Sequence, residues 1–539
     1  MSTEKMSRRK FVQMAGSAAL LGTEALDTIG QARADDVHAN LAHFDHIVVL
    51  MLENRSFDNM LGYLYEDDPD RRFNGVYGKQ LSNPIPHFAD RAELGSVPVQ
   101  RGSSPENPSP DPGEEYPRVN TQIFGTVNPI TNRTKGALFM EAPYNLPSSP
   151  PVPYMNGFVY DYINNFEATV GRAPKYEEYK VIMECFTPEQ VPVLSSLARN
   201  FAVCDNWFSS VPTQTFANRS FFHCSRSSGL VLNAPFGDWI KRNNDETIFE
   251  RLSQNNLSWM VYFDAEDVVP VTGAIHFSRL QKYLPTNFCR MDRFYSDVEK
   301  GTLPAYSFIE PRMFRDHNDA HPPAIVGSKL QHSSVLAAEQ LIHDIYEAIK
   351  KSSSPKGSNF QNTLLIITFD EHGGCYDHVP PPLVSPPDPA LKMQGQMGFS
   401  FDRLGLRVPT VLVSAWIPPG TVFGKKLDHS SVIRTMSLKW NLGSLTERDR
   451  TAGDFAELLS LKKPRQRDHW ADTTPRPQPI VAQDTLEMPL NHLQNSIFGT
   501  IKQVAQSQGL TLDEAATVGE ALLQMKRLIP ASIVPKKKK

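Results

Sequence analysis

Residues 363–382 read Thr-Leu-Leu-Ile-Ile-Thr-Phe-Asp-Glu-His-Gly-Gly-Cys-Tyr-Asp-His-Val-Pro-Pro-Pro. The first seven residues are β-branched or large and apolar, the signature of a strand buried on both faces in a parallel sheet. Asp370, Glu371 and His372 then arrive together, followed by Gly373 and Gly374, and Asp377 and His378 come one tight turn later. Charged side chains at the carboxyl end of a buried strand stand where open α/β sheets bind ligands. Two carboxylates and an imidazole in succession have the chemistry to hold a divalent cation. The plainer reading is a polar turn capping a strand. The two glycines and the second Asp-His pair favour a site.

A second stretch repeats the pattern. His46 to Leu52 is a buried-strand run that ends in Glu53-Asn54-Arg55-Ser56-Phe57-Asp58. Ser56 is placed to cap a helix, and that helix would begin at the same sheet edge as Asp370 if the two strands run parallel. Further strands are expected at 201–205, 259–263, 305–309 and 408–414. Helices are expected at 187–200, 334–350 and 430–442, the first with Thr187 as cap and Pro188 at its first position. Thr215 sits where a hydroxyl-rich loop, 209–214, meets a helix containing Phe221 to His223. Such a junction fixes a hydroxyl rigidly, although a simple cap is an equal reading of that segment alone. His317-Asn318-Asp319-Ala320-His321-Pro322 forms another polar cluster after a strand. The strand–helix alternation predicts a three-layer α/β/α domain with a mostly parallel sheet.

The chain has 539 residues and 40% hydrophobic content, enough for a large core. With 55 Lys+Arg against 59 Asp+Glu, the net charge of −4 gives no general attraction to nucleic acid. Residues 1–34 read as an export signal: Ser7-Arg8-Arg9-Lys10-Phe11-Val12 is close to a twin-arginine pattern, and Ala32-Arg33-Ala34 suits cleavage. The expected destination is periplasmic or extracellular, with no membrane-spanning segment in the mature chain. The five cysteines lack metal-ligand spacing. One disulfide is possible in an oxidising compartment, with Cys204–Cys224 the expected pair. Residues 80–155 are rich in Pro, Ser, Asn and Gly and read as a long surface excursion with a short hairpin. The catalytic domain is expected to span 35–462. A Pro-rich linker and two helices, roughly 491–507 and 511–528, fill 463–539. The terminal Lys536–Lys539 run is most simply solvated, or else touches anionic phospholipid.

The ordered motifs Glu53-Asn54-Arg55-Ser56-Phe57-Asp58, Thr215-x-x-Asn218-Arg219, Asn318-Asp319-x-His321-Pro322 and Asp370-Glu371-His372-Gly373-Gly374-x-Tyr376-Asp377-His378 resemble the phosphoesterase family. That family includes bacterial non-haemolytic phospholipases C, plant non-specific phospholipases C and exported acid phosphatases. The resemblance covers roughly residues 43–445 and implies an alkaline-phosphatase-like core. It implies a divalent metal cation (Mg, Ca, Mn or Zn) held by Glu53, Asn54, Asp370 and Thr215, with Glu371 beside them. Thr215 matches the nucleophile, and His321 and His378 match histidines at the phosphate or leaving group. Asn218 and Arg219 match structural or phosphate-proximal positions. The implied reaction is phospholipase C cleavage of phosphatidylcholine-like lipids through a phospho-threonine, with a broad acid phosphatase as the alternative. The implied partner is a phospholipid or small phosphate ester, with peripheral contact to a lipid surface. One departure stands out. Relatives usually carry another active-site histidine in a Pro-x-His segment before Asn156-Gly157-Phe158, and residues 147–154 here contain none.

Overall fold

The computed structural model describes residues 36–148, 152–391, 394–478 and 484–528. The export signal and the terminal lysine run therefore lie outside the described residues. Eight strands build one central sheet: β1 (His46–Leu52), β2 (Ala202–Val203), β3 (Trp259–Phe263), β4 (Phe288–Arg290), β5 (Tyr306–Glu310), β6 (Thr363–Phe369), β7 (Val411–Val413) and β8 (Thr421–Val422). Their order across the sheet is β8-β2-β7-β6-β1-β5-β3-β4. All neighbours are parallel except β7, which runs antiparallel to both β6 and β2. The expected strand at 408–414 is thus present but reversed. The two longest strands, β1 and β6, lie side by side at the centre, and β6 is buried along its whole length. That is why their sequences are continuously apolar rather than alternating.

Helices cover both faces. On one side lie α3 (Pro192–Asn200), α6 (Met291–Lys300) and α7 (Val335–Lys351), with α7 packed against the other two. On the other lie α4 (Thr215–Cys224), α5 (Ile248–Gln254) and α8 (Ser430–Trp440), with α4 between the others. The short α1 (Phe57–Leu61) follows β1 directly, and Ser56 caps it by accepting from the Asn59 N–H as its sequence predicts. The helix expected from Pro188 begins instead at Pro192. The Thr187-Pro188-Glu189-Gln190 signature closes a turn, in which the Gln190 side chain accepts from the Thr187 N–H at 3.0 Å.

The 80–155 excursion does contain a short hairpin, 82–84 with 96–98. It also contains a helix missed in the sequence, α2 (Tyr116–Phe124), which is buried along its length. The C-terminal helices are α9 (His492–Ser507) and α10 (Val518–Lys526). The second starts later than expected because Thr517 and Glu520 form its capping box. Leu493, Ile497, Phe498 and Ile501 of α9 join one apolar cluster with Phe216, Ala217 and Phe221 of α4, so these helices do not bury a core of their own. The expected Cys204–Cys224 disulfide is absent, and all five cysteines are free. Cys204 leaves the end of β2 with its N–H on the Thr410 carbonyl, whereas the Cys224 sulfur ends α4 beside His276. No helix among the described residues is long and apolar enough to cross a membrane.

Candidate active site

The register of two strands starts the site. Leu52 pairs with Phe369 at the carboxyl ends of β1 and β6. The next residues, Glu53 and Asn54 on one strand and Asp370 and Glu371 on the other, are therefore neighbours. The Asn54 N–H donates to Asp370 Oδ1 at 3.2 Å. Asn54 itself takes a left-handed backbone at φ 57°, an unusual conformation for a side chain other than glycine. Gly373 explains how the two turns fit together. At φ 59°, a Cβ there would stand 2.1 Å from the Asn54 carbonyl oxygen, so only glycine is accommodated.

The first two turns of α4 add Thr215 and Arg219, four residues apart on one helical face. Thr215 is the helix's first residue, and its Oγ1 donates to Glu53 Oε2 at 3.3 Å. Arg219 donates to Glu53 Oε1 and lies 3.5 Å from Asp370 Oδ2. All these side chains, with Glu371, are fully buried. Burial pushes the Glu53 and Glu371 carboxyls well above their ordinary range; at Glu53 this overrides the opposing pull of the Arg219 charge.

Two carboxylates, Glu53 and Asp370, thus share one guanidinium, and Glu371 lies beside them. Asn54 Oδ1, Asp370 Oδ2 and Glu371 Oε1 are buried without a hydrogen-bond partner. Unsatisfied buried oxygens are costly. An all-oxygen donor set with a deficit of positive charge fits a hard divalent cation. Glu53, Asn54, Asp370 and Thr215 are the residues that would hold it.

A surrounding layer fixes these groups. The His429 Nε2–H donates to the Asp370 carbonyl at 2.6 Å, while the Trp207 indole N–H donates to His429 Nδ1 at 3.4 Å. Those two partners define the tautomer, and burial keeps the ring neutral by lowering its pKa. His372 bonds Gln122 of α2 at 2.7 Å, and burial lowers its pKa to about 3.

His321 lies at the same sheet edge, in the loop after β5. Its N–H donates to Asp319 Oδ1 at 3.0 Å, and Asp319's carbonyl in turn accepts from the Glu53 N–H at 2.7 Å. The ring's Nε2 faces Asp111 Oδ2 at 3.7 Å. Asp111, Glu114 and His321 bring their polar atoms within 4.8 Å of one another. Neither acid was singled out in the sequence. They sit in Asp111-Pro112-Gly113-Glu114-Glu115, whose dense carboxylates within turn residues were the available signal. Glu114 belongs to the site directly, because its Oε2 accepts from Asn54 Nδ2.

His378 is not brought to this cluster. Its Nδ1 meets Asp58 Oδ2 at 2.5 Å, and its Nε2 lies 2.7 Å from Lys79 Nζ and 3.1 Å from Asn74 Oδ1. Arg407 completes that group, donating to Asp58 and Asp377 at 2.8 and 3.0 Å. The guanidinium already supplies positive charge to both carboxylates. Asn218 is likewise structural: its amide closes the loop before α4 through Val211 and Thr213.

Residues 44–443 match the phosphoesterase family. The chain belongs to that family. It is 34% identical over 433 residues to non-specific phospholipase C3 of Arabidopsis thaliana, covering 78% of this chain and 74% of the relative. It is 24% identical over 494 residues to phospholipase C A of Mycobacterium tuberculosis, covering 85% and 86%. Among solved structures, a protein in the alkaline phosphatase superfamily from Vibrio parahaemolyticus aligns at 12% identity and TM-score 0.30, over 50% of this chain and 65% of that one. As a family member this chain is a hydrolase acting on phosphoester bonds.

Proposed function

We propose that the chain is a metal-dependent phospholipase C that cleaves the glycerol-side phosphodiester of phosphatidylcholine-like lipids through a phospho-threonine. The observation that carries this reading is the placement of Thr215. Its hydroxyl is the first side chain of a helix and points at Glu53, beside Asp370, Asn54 and Arg219. The names of the relatives favour a lipid diester over a monoester. A bound divalent cation would supply Lewis-acid charge that favours the alkoxide and the phosphoryl oxygens.

The chain's own residues divide the remaining work. Thr215 Oγ1 attacks phosphorus in line and gives its proton to Glu53 Oε2, which accepts from that hydroxyl. The P–O bond to the glycerol breaks, and the leaving oxygen takes a proton to become diacylglycerol. His321, at the same edge, is the group assigned to give that proton. Water then attacks phosphorus and gives a proton to His321, the P–Oγ bond breaks, and Thr215 takes its proton back from Glu53 as the phosphorylated head group departs. Arg219 holds the Glu53 and Asp370 carboxylates in place throughout. The reading includes export by the twin-arginine route, supported by Arg8-Arg9 and the Ala32-Arg33-Ala34 segment.

The test compares phosphocholine release from phosphatidylcholine in mixed micelles with p-nitrophenyl phosphate hydrolysis, each with and without chelator. The expected result is faster, chelator-sensitive turnover of the diester. Faster monoester turnover would make the chain a phosphatase instead.

A further inference from the structure

We infer that His492, carried by the C-terminal helix α9, contacts the substrate phosphate and completes the open side of the active site. The inference rests on the phosphoesterase reading of that site and extends it to a segment of the chain far from every motif in the sequence.

The anchoring of α9 comes first. Asn491 and Gln494 form the capping box that starts the helix. The Gln494 amide donates to the Met313 and Phe314 carbonyls at 3.1 and 3.0 Å and meets His317 Nε2 at 2.9 Å. The N-terminus of α9 is therefore fastened to the loop that carries His321. Its apolar face shares a cluster with α4, the helix that begins at Thr215.

This anchoring puts His492 against the active site. His492 Nδ1 lies 3.4 Å from Gln214 Nε2 and 3.8 Å from Glu114 Oε1. Gln214 directly precedes the proposed nucleophile, and Glu114 accepts from Asn54. Gln214 also donates to Glu114 at 3.3 Å, and its own carbonyl oxygen accepts from the Asn233 N–H, so the orientation of its amide is fixed. Nδ1 thus faces inward. Nε2 has no partner among the described residues, and the side chain is 48% exposed, whereas Glu53 and Arg219 beneath it are fully buried.

The electrostatics give that open nitrogen a use. The inner site is lined with carboxylates, and its one guanidinium is committed to Glu53 and Asp370. A divalent cation held by those carboxylates would meet the phosphate from within, and His492 stands on the solvent side, where a second donor can reach it. Desolvation of its inner edge disfavours charge on the half-exposed His492, but Glu114 and Glu115 more than offset that and raise its pKa to about 9. With Nδ1 turned to the Gln214 amide, the ring presents its Nε2–H outward as a donor.

The test uses the full mature chain with His492→Ala, His492→Gln and His492→Lys. Steady-state kinetics on bis-p-nitrophenyl phosphate and p-nitrophenyl phosphate are paired with calorimetric titration of inorganic phosphate. Loss of a charged hydrogen bond to the phosphate predicts a fall of about tenfold or more in kcat/KM and in phosphate affinity for Ala and Gln, with Tm unchanged. Lys is expected to recover part of both. Gln can still donate to Glu114, so a Gln variant equal to the parent would mean His492 only anchors α9, and the inference would fall. An Ala variant altered in Tm alone would overturn it too. A parent that binds phosphate through His492 yet hydrolyses neither ester would instead sink the catalytic reading and leave this contact standing.

Discussion

The Arg219 guanidinium donates to one oxygen of the Glu53 carboxylate while the other oxygen, Oε2, accepts from the Thr215 hydroxyl at 3.3 Å. The buried charge and the proposed nucleophile are thereby tied through one carboxylate. Removing the guanidinium leaves the buried Glu53 and Asp370 without a counter-charge. Arg219→Met is expected to lose about 3–5 kcal/mol of unfolding free energy in chelator. A divalent cation would restore some of that charge, so the loss measured by urea denaturation should be smaller with Mn²⁺ present. Equal losses under both conditions would show that the guanidinium and a cation do not serve the same carboxylates.

Cation binding itself has a thermodynamic signature. A ligand that binds only the folded chain stabilises it by about 2.7 kcal/mol at a hundred times its Kd. Thermal unfolding of the parent should therefore shift upward with Mn²⁺, Mg²⁺, Ca²⁺ or Zn²⁺, and the strongest responder identifies the preferred ion. Asp370→Asn removes a charge from the proposed donor set and should abolish the shift. A shift that survives in Asp370→Asn would place the ion elsewhere.

The covalent step separates three residues. Thr215→Ala should reduce turnover to background, whereas Thr215→Ser, which keeps the hydroxyl, should retain part of it. Rapid acid quenching and mass spectrometry should find a phosphate on the peptide containing residue 215 in the parent. General acid catalysis contributes about 10²–10⁴-fold, which sets the loss expected in kcat for His321→Gln. His378 is held by Asp58, Asn74 and Lys79 rather than by the carboxylate cluster. His378→Gln should accordingly cost less than about tenfold, well short of a general acid's contribution. The reverse ranking of the two histidines would return the proton to His378.

The core of this site was legible because it follows from local rules. Runs buried on both faces identified β1 and β6, and polar residues immediately after each run marked the sheet edge. Parallel pairing of Leu52 with Phe369 then brought the two motifs together. What was hidden depends on distance in sequence. Asp111 and Glu114 lie in a loop too irregular for periodicity to interpret, although α2 starts one residue after Glu115. His492 fell unremarked inside the helix expected at 491–507, since nothing local links it to Glu114 or Gln214. His378 misled in the opposite way. Its nearness to Asp370 in sequence suggested a shared site, but the turn through the glycines carries it to Asp58 and Arg407.

Glu339 offers a pH test away from the catalytic residues. It is buried on α7, where its two oxygens accept from the Val193 and Leu194 N–H groups at 2.6 and 2.9 Å and so cap α3. Burial outweighs those donors and raises its pKa from 4.5 to about 7. Between those values the folded chain holds a proton that the unfolded chain has released. Stability from this group is therefore fully present below about pH 4.5, and is lost as pH rises through about 7, where the loss levels off. A shift of this size corresponds to a change on the order of a few kcal/mol. Glu339→Gln cannot titrate, and its amide N–H₂ faces one of the helix donors. It should begin less stable than the parent near pH 5 and then lose less with rising pH, so that the two unfolding profiles converge toward pH 8. Parallel profiles across that range would mean that Glu339 is ionised throughout, with the α3 N-terminus stabilising its charge more than burial opposes it.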